Sequence, residues 1–209
     1  MTLALLHTSP VHVPVFDALR DTDHPGLALR HLVSEDLLAR ARDSGPEAVS
    51  GEIRALLAGV VAEGASAVLC TCSTIGGVAE SAAATAGVPV LRVDRPMAAA
   101  AAERERVVVL AALGDTLAPT LALLAEEVGD RPVEVRTVLV EGAWARFEAG
   151  DRDGFLDLVA AAADAVTDAD VIVLAQASMA DAVTRTVTRI PVLASPRTGL
   201  AAAAAATAR

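Results

Sequence analysis

The sequence predicts an α/β fold built from two similar parallel-sheet halves, and three observations predict it. Short runs rich in Val, Ile and Leu alternate with longer helical stretches along the whole chain, the pattern of parallel strands joined by crossover helices. Several runs are apolar without a break, as strands covered on both faces require. The pattern also repeats once, at a period of about 100 residues, too long for a solenoid.

Taken in order, the expected strands are Leu3–His7, Leu27–His31, Ala67–Thr71, Pro89–Val93, Val107–Ala112, Val133–Val140, Asp170–Ala175 and Pro191–Ala194. The expected helices include Pro46–Glu63, Thr74–Ala86, Leu117–Val128 and Phe155–Val166. Pro46 and Pro119 stand near helix starts, where a missing N–H does no harm. Gly64 and Gly87 follow helix ends, the place for a residue that turns left-handed. The first residues, MTLALLHTSP, are apolar but carry no basic segment and read as a first strand rather than a leader or a membrane span. The Ala runs at 98–102 and 201–206 are too short to span a bilayer and read as helix.

The repeat is visible residue by residue. VLCTCSTIGGVAESAAATAGVPVLRVDRPMAAAAA at 68–102 parallels VLAQASMADAVTRTVTRIPVLASPRTGLAAAAAA at 173–206. Each runs from a strand through a Ser-containing turn into a helix, then a short strand, Val88-Pro-Val-Leu91 or Ile190-Pro-Val-Leu193. Each then places an Arg four residues on, Arg95 or Arg197, before an Ala-rich helix. The halves are therefore expected at 1–95, with a C-terminal helix at 196–209, and at 96–195.

Composition excludes several functions. The net charge is −10 with no Lys/Arg block, so nucleic acid and anionic membranes are not expected partners. Cys70 and Cys72 are the two cysteines. One such pair builds no disulfide framework, which suits a reducing, cytoplasmic compartment. It also makes a poor zinc site, since no second ligand pair stands at ligand spacing. His12, His24 and His31 are dispersed and show no metal spacing, and His7 reads as satisfying a backbone group. Trp144 and Phe147 read as local packing. No Gly-x-Gly-x-x-Gly, phosphate-cradling Gly-Lys-Thr or Gly-x-Ser-x-Gly turn occurs. No metal and no cofactor is expected.

In open parallel sheets, ligands sit beyond the carboxyl ends of the strands. The loops there are His7-Thr8-Ser9, Thr71-Cys72-Ser73-Thr74, Leu113-Gly114-Asp115-Thr116 and Ala175-Gln176-Ala177-Ser178-Met179. Most lead straight into helices, whose free N–H groups and dipole favour a carboxylate. The same environment lowers a thiol pKa. Cys70, inside a strand, reads as a small buried hydrophobe. Cys72, at the strand-to-helix turn, is the candidate catalytic residue. Thr8, Ser9, Ser73, Thr74, Thr116, Gln176 and Ser178 are the candidate substrate-binding residues, although Ser and Thr at such places also serve as helix caps.

These residues resemble a known group. VLCTCSTIG is similar to the first cysteine motif of the aspartate/glutamate racemase superfamily, an apolar strand leading into Cys-Asn-Thr, with Ser73 in place of Asn. VIVLAQASMAD at 171–181 is similar to the second motif, whose hydantoin-racemase form reads close to Val-Leu-Gly-Cys-Ala-Gly-Met-Ala-Asp. VVVLAALGDTLAPTLALL resembles the segment that opens the second half. The resemblance implies two flavodoxin-like halves with the site in the cleft between them, a small carboxylate substrate and cofactor-independent chemistry at the carbon next to the carboxylate. A homodimer is the family expectation.

In racemases of this type two cysteines face the substrate, one removing the α-proton and the other returning one. Here the second position holds Gln176 when aligned on the motif and Ala177 when aligned on the internal repeat. Neither is a thiol, and Gln carries no exchangeable acid at neutral pH. The expectation is therefore a one-cysteine racemase/isomerase-like or decarboxylase-like enzyme. Cys72 would act as acid/base or as nucleophile, or His7 or Asp115 would supply the missing acid. The alternative is a non-catalytic protein of the same fold that binds a small carboxylate.

Overall fold

The structure is a computed structural model that describes residues 1–208. The chain divides into two compact units, Met1–Arg95 together with Pro196 and the residues after it, and Pro96–Ser195.

The first unit runs β1 (Thr2–His7), α1 (His12–Asp23), β2 (Ala28–Val33), α2 (Glu35–Ser44), a 3-10 turn at Pro46–Val49, α3 (Ser50–Ala62), β3 (Ala65–Cys70), α4 (Ser73–Ser81), α5 (Ala83–Ala86) and β4 (Val90–Arg92). The strands form one parallel sheet in the order β2-β1-β3-β4. Alternate residues of the central strands serve opposite faces. Ala4, Leu6, Val68 and Cys70 pack with Leu37, Ile53, Leu57 and Ile75 on one side. Leu3, Leu5, Ala67 and Leu69 pack with Phe16 on the other, where Leu200 and Ala203 of the C-terminal helix (Ser195–Thr207) also lie. Burial on both faces is why β1 and β3 are apolar without a break. Each fully buried Leu contributes roughly 2 kcal/mol.

The second unit runs α6 (Arg95–Ala102), β5 (Arg106–Ala111), a 3-10 turn at Gly114–Thr116, α7 (Leu117–Val128), β6 (Glu134–Leu139), α8 (Ala143–Glu148), α9 (Arg152–Asp164), β7 (Val171–Leu174), a 3-10 segment at Ala177–Arg185 and β8 (Val192–Ala194). Its parallel sheet has the order β6-β5-β7-β8. Val108, Leu110, Ile172 and Leu174 face Phe155, Leu156 and Val159 of α9. Val107, Val109, Val171 and Val173 face Met97 and Ala101 of α6 and Leu123 of α7.

The two sheets are thus α/β, with all eight predicted strands present within a residue or two. Three differences stand out. Pro46–Glu63 is expected as one helix but opens as a 3-10 turn at Pro46–Val49, whose last residue leaves helical backbone (φ −104°, ψ 4°) before α3 begins. A helix is expected after β7, but only a 3-10 segment forms there. The run Val183-Thr184-Arg185-Thr186-Val187-Thr188 is β-branched at five of six positions, and such side chains resist helix extension. Helix α2 goes unpredicted, although Ser34 precedes it and Glu35 and Asp36 complement its N-terminal dipole.

Candidate functional site

Strand register places the loops of the first unit. Leu6 lies beside Cys70, and the N–H of Thr71 donates to the Leu6 carbonyl at 3.0 Å. Thr8-Ser9 and Cys72-Ser73-Thr74 therefore leave the sheet side by side at its carboxyl end. Cys72 is the residue that precedes α4, with extended backbone (φ −110°, ψ 119°). It is half-buried, whereas Cys70 is fully buried. Burial, and then the neighbouring Cys72, push the Cys70 thiol far above its ordinary pKa. Its S–H points to the Cys72 carbonyl at 3.7 Å. Cys70 is thus an inert packing thiol on the face that Cys72 also touches.

The hydroxyl residues fare differently from simple caps. Val11 and Cys72 occupy the capping positions of α1 and α4, so Thr8, Ser9 and Thr74 cap neither helix. Thr8 and Ser73 are buried, Ser9 and Thr74 half-buried.

In the second unit Leu110 lies beside Leu174, as Leu6 lies beside Cys70 in the first. Two residues on, Gln176 precedes the 3-10 segment with φ −120° and ψ 138°, close to the Cys72 conformation. Gln176, rather than Ala177, is therefore the structural counterpart of Cys72. Its Oε1 accepts from the N–H groups of Ala112 (2.7 Å) and Leu113 (3.1 Å). This fixes the amide, with its NH₂ turned away from those two N–H groups. Thr116 is buried at the start of α7, and its carbonyl accepts from the Thr120 hydroxyl at 2.8 Å. Ser178 is half-buried in the 3-10 segment, and Asp115 is exposed. No group of three or more His, Cys, Asp or Glu among the described residues could hold a metal ion. No helix among them is long and apolar enough to cross a membrane.

A sequence model of Asp/Glu/hydantoin racemases matches residues 14–206. The chain belongs to this family. No curated protein sequence matches it significantly. Solved structures resemble it over nearly its whole length. A proposed Asp/Glu racemase from Yersinia pestis superposes with a TM-score of 0.72 at 14% identity, covering 100% of this chain and 99% of that one. Arylmalonate decarboxylase gives 0.61 at 21% identity over 99% and 92%. Glutamate racemase from Thermus thermophilus, in complex with β-chloro-D-alanine, gives 0.69 at 18% identity over 99% and 80%. At these identities the structural likeness shows a shared fold.

Two features of this racemase-family chain escape sequence reasoning. Arg92 lies beside Cys70 in the sheet and grips Asp94 with two hydrogen bonds, 2.7 and 3.0 Å, with both side chains buried. Burial opposes the Arg92 charge, but the Asp94 carboxylate outweighs it and raises the guanidinium pKa. Gly76 of α4 makes room for this side chain, since a Cβ there would stand 3.2 Å from Arg92 Cβ and Nε, whereas one on Gly77 would meet Arg92 in ordinary contact at 3.5 Å. A Gly inside a helix costs about 1 kcal/mol against Ala, and at Gly76 this close approach is its reason. Position 194 of the second unit, equivalent by register, is Ala, so the ion pair belongs to the first unit alone. The only signal was two opposite charges two apart at the end of a short strand.

His7 is the second. It does not satisfy a backbone group, as expected from sequence. Its Nδ1 lies 2.8 Å from Thr71 Oγ1 and its Nε2 lies 2.8 Å from His31 Nδ1. It is fully buried, and burial first, then repulsion from His31 and His12, lowers its pKa to about 3. With both ring nitrogens engaged and no exposure, His7 cannot serve as the replacement acid for a missing thiol. Trp144 and Phe147 stack at 4.9 Å, with Phe155 5.3 Å from Phe147, in local packing.

Proposed function

We propose that this protein is a cofactor-independent enzyme that acts at the carbon next to a carboxylate of a small substrate, with Cys72 as its single catalytic thiol. One observation carries the reading. The structurally equivalent strand-to-helix positions of the two units hold Cys72 and Gln176, and the Gln carbonyl oxygen is already bound to two backbone N–H groups. A reaction that needs one proton donor fits this arrangement, and one that needs two thiols does not. Decarboxylation is such a reaction. Loss of CO₂ leaves its bonding electron pair as an enediolate, the Cys72 S–H delivers its proton to carbon, and water reprotonates the thiolate. Isomerisation with Cys72 adding to an activated double bond is the other one-thiol route.

Cys72 stands where the first N–H groups of α4 are unpaired within the helix, which favours a bound carboxylate. Thr8, Ser9, Ser73 and Thr74 supply further donors at the same strand ends. Thr116, Ser178 and the Gln176 NH₂ are the donors at the equivalent ends of the second unit, for carboxylate oxygens and developing negative charge.

The test is a scan of aspartate, glutamate, hydantoins and substituted malonates for α-proton exchange in D₂O and for CO₂ release. Turnover that Cys72→Ala abolishes is the expected result. Carboxylate binding that survives Cys72→Ala, with no turnover of any of these, would replace the enzyme with a binding protein of the same fold.

A further inference from the structure

We propose that His7 is a positioning residue, a clamp between the carboxyl ends of β1 and β3 that holds the Cys72 turn against the Thr8-Ser9 loop; this rests on the reading of Cys72 given above. His7 immediately precedes Thr8, and Thr71 immediately precedes Cys72. The His7–Thr71 bond is thus a side-chain tie between the two segments that carry the proposed donors and thiol, made at the last residue before each loop begins.

The hydrogen directions follow from one assignment. With the Thr71 hydroxyl donating to the Leu6 carbonyl at 3.1 Å, its oxygen accepts from His7 at 2.8 Å, and His7 carries its proton on Nδ1. Nε2 of His7 is then an acceptor and takes the Nδ1–H of His31. Nε2 of His31 in turn faces Asp17 Oδ1 at 3.3 Å, and Asp17 also meets Arg20 at 3.4 Å. Both ends of the chain, the Leu6 carbonyl and the Asp17 carboxylate, are acceptors.

A proton wire would need an onward acceptor at its inner end. This one stops at a backbone carbonyl already in the sheet, so its role is to orient rather than to conduct. The groups around His7 are His31 of β2, Thr71 of β3, and His12 and Phe16 of α1, whose rings lie 6.3 and 5.6 Å away. The remaining charges at the outer end are those of Asp17 and Arg20.

The experiment uses the full chain and measures the rate at which iodoacetamide alkylates Cys72, read by mass spectrometry of the Cys72 peptide. It compares the wild type with His7→Leu and Thr71→Val, which break the tie. His7→Asn keeps a donor near Nδ1, and Thr71→Ser keeps the hydroxyl. The two breaking variants are expected to react about fivefold more slowly, the worth of one hydrogen bond expressed as a rate, and the two conservative variants to recover the wild-type rate. The near-isosteric Thr71→Val and Thr71→Ser pair decides the matter if His7→Leu fails to fold. Equal rates in all variants, or equal slowing in all four, overturn the clamp while the Cys72 reading stands. A wild-type Cys72 that does not react at all overturns both. Nitrogen-15 spectra give an independent arm: an Nδ1–H tautomer at His7 is expected, and an Nε2–H tautomer refutes the assigned direction of the His7–Thr71 bond.

Discussion

The C-terminal helix meets the sheet of the first unit through a glycine, and replacing that glycine should separate steric contact from helix propensity. A Cβ added at Gly199 would lie 2.4 Å from the Val93 carbonyl oxygen, 2.6 Å from Val93 Cγ2 and 2.9 Å from Val93 Cα. Two of these are backbone atoms just after β4, so no rotamer change relieves the clash, and the helix must lift. Lifting loosens Leu200 and Ala203, both fully buried with Leu3, Leu5 and Phe16. Overpacking of this kind costs about 1–3 kcal/mol, with an unyielding backbone contact at the upper end. Against that, Gly→Ala in a helix gains about 1 kcal/mol. The net expectation for Gly199→Ala is a loss of about 2 kcal/mol, or a fall in Tm of roughly 4–8 °C for a chain of this size. Gly59→Ala in α3 is the control, since its Cβ would meet nothing within 4 Å, and it should raise Tm. Differential scanning calorimetry of both variants decides the matter. Equal upward shifts would refute the claim that Gly199 exists for close approach.

Three further outcomes follow from buried groups. His7 is held neutral, its pKa lowered from 6.5 to about 3. Below 6.5 the unfolded chain therefore binds a proton that the folded chain refuses. Its contribution is fully present above pH 6.5 and falls by at most about 1.4 kcal/mol per pH unit as the pH drops toward 3. Urea titrations of wild type and His7→Asn across that window should differ in slope, and parallel curves would contradict it. Arg92→Met leaves Asp94 buried without its partner and should cost about 3–5 kcal/mol, most of which Arg92→Met combined with Asp94→Leu recovers; a double-mutant cycle by chemical denaturation measures this. Native protein treated with iodoacetamide should take one label, at Cys72, and a second at Cys70 only in denaturant, because burial raises the Cys70 thiol pKa; labelling of Cys70 in the native state would show its packing to be looser than described.

Much of the site followed from local rules. Cys72 at the turn after β3, the inert Cys70, and the hydroxyl-bearing loops after the strands all follow from where a central strand must end. The second-unit register did not. Motif and repeat gave Gln176 and Ala177 as rival counterparts of Cys72, and only the pairing of Leu110 with Leu174 separates them. The tie of His7 to Thr71 and His31 was equally hidden, since its partners lie 64 and 24 residues away.

What the chain alone determined is therefore its periodicity: unbroken apolar runs that demand two-sided burial, turn residues that end them, and a repeat that doubles the pattern. These are properties of neighbours along the backbone, within reach of propensity and hydrophobic period. Tertiary structure decided which polar groups meet, because parallel pairing brings strands together across whole crossover helices, and hydrogen-bond partners are then chosen by register. The Arg92–Asp94 pair under Gly76, the neutral His7 and the anchored Gln176 all arise at that level, where desolvation leaves a buried polar group no partner but the one that folding places beside it.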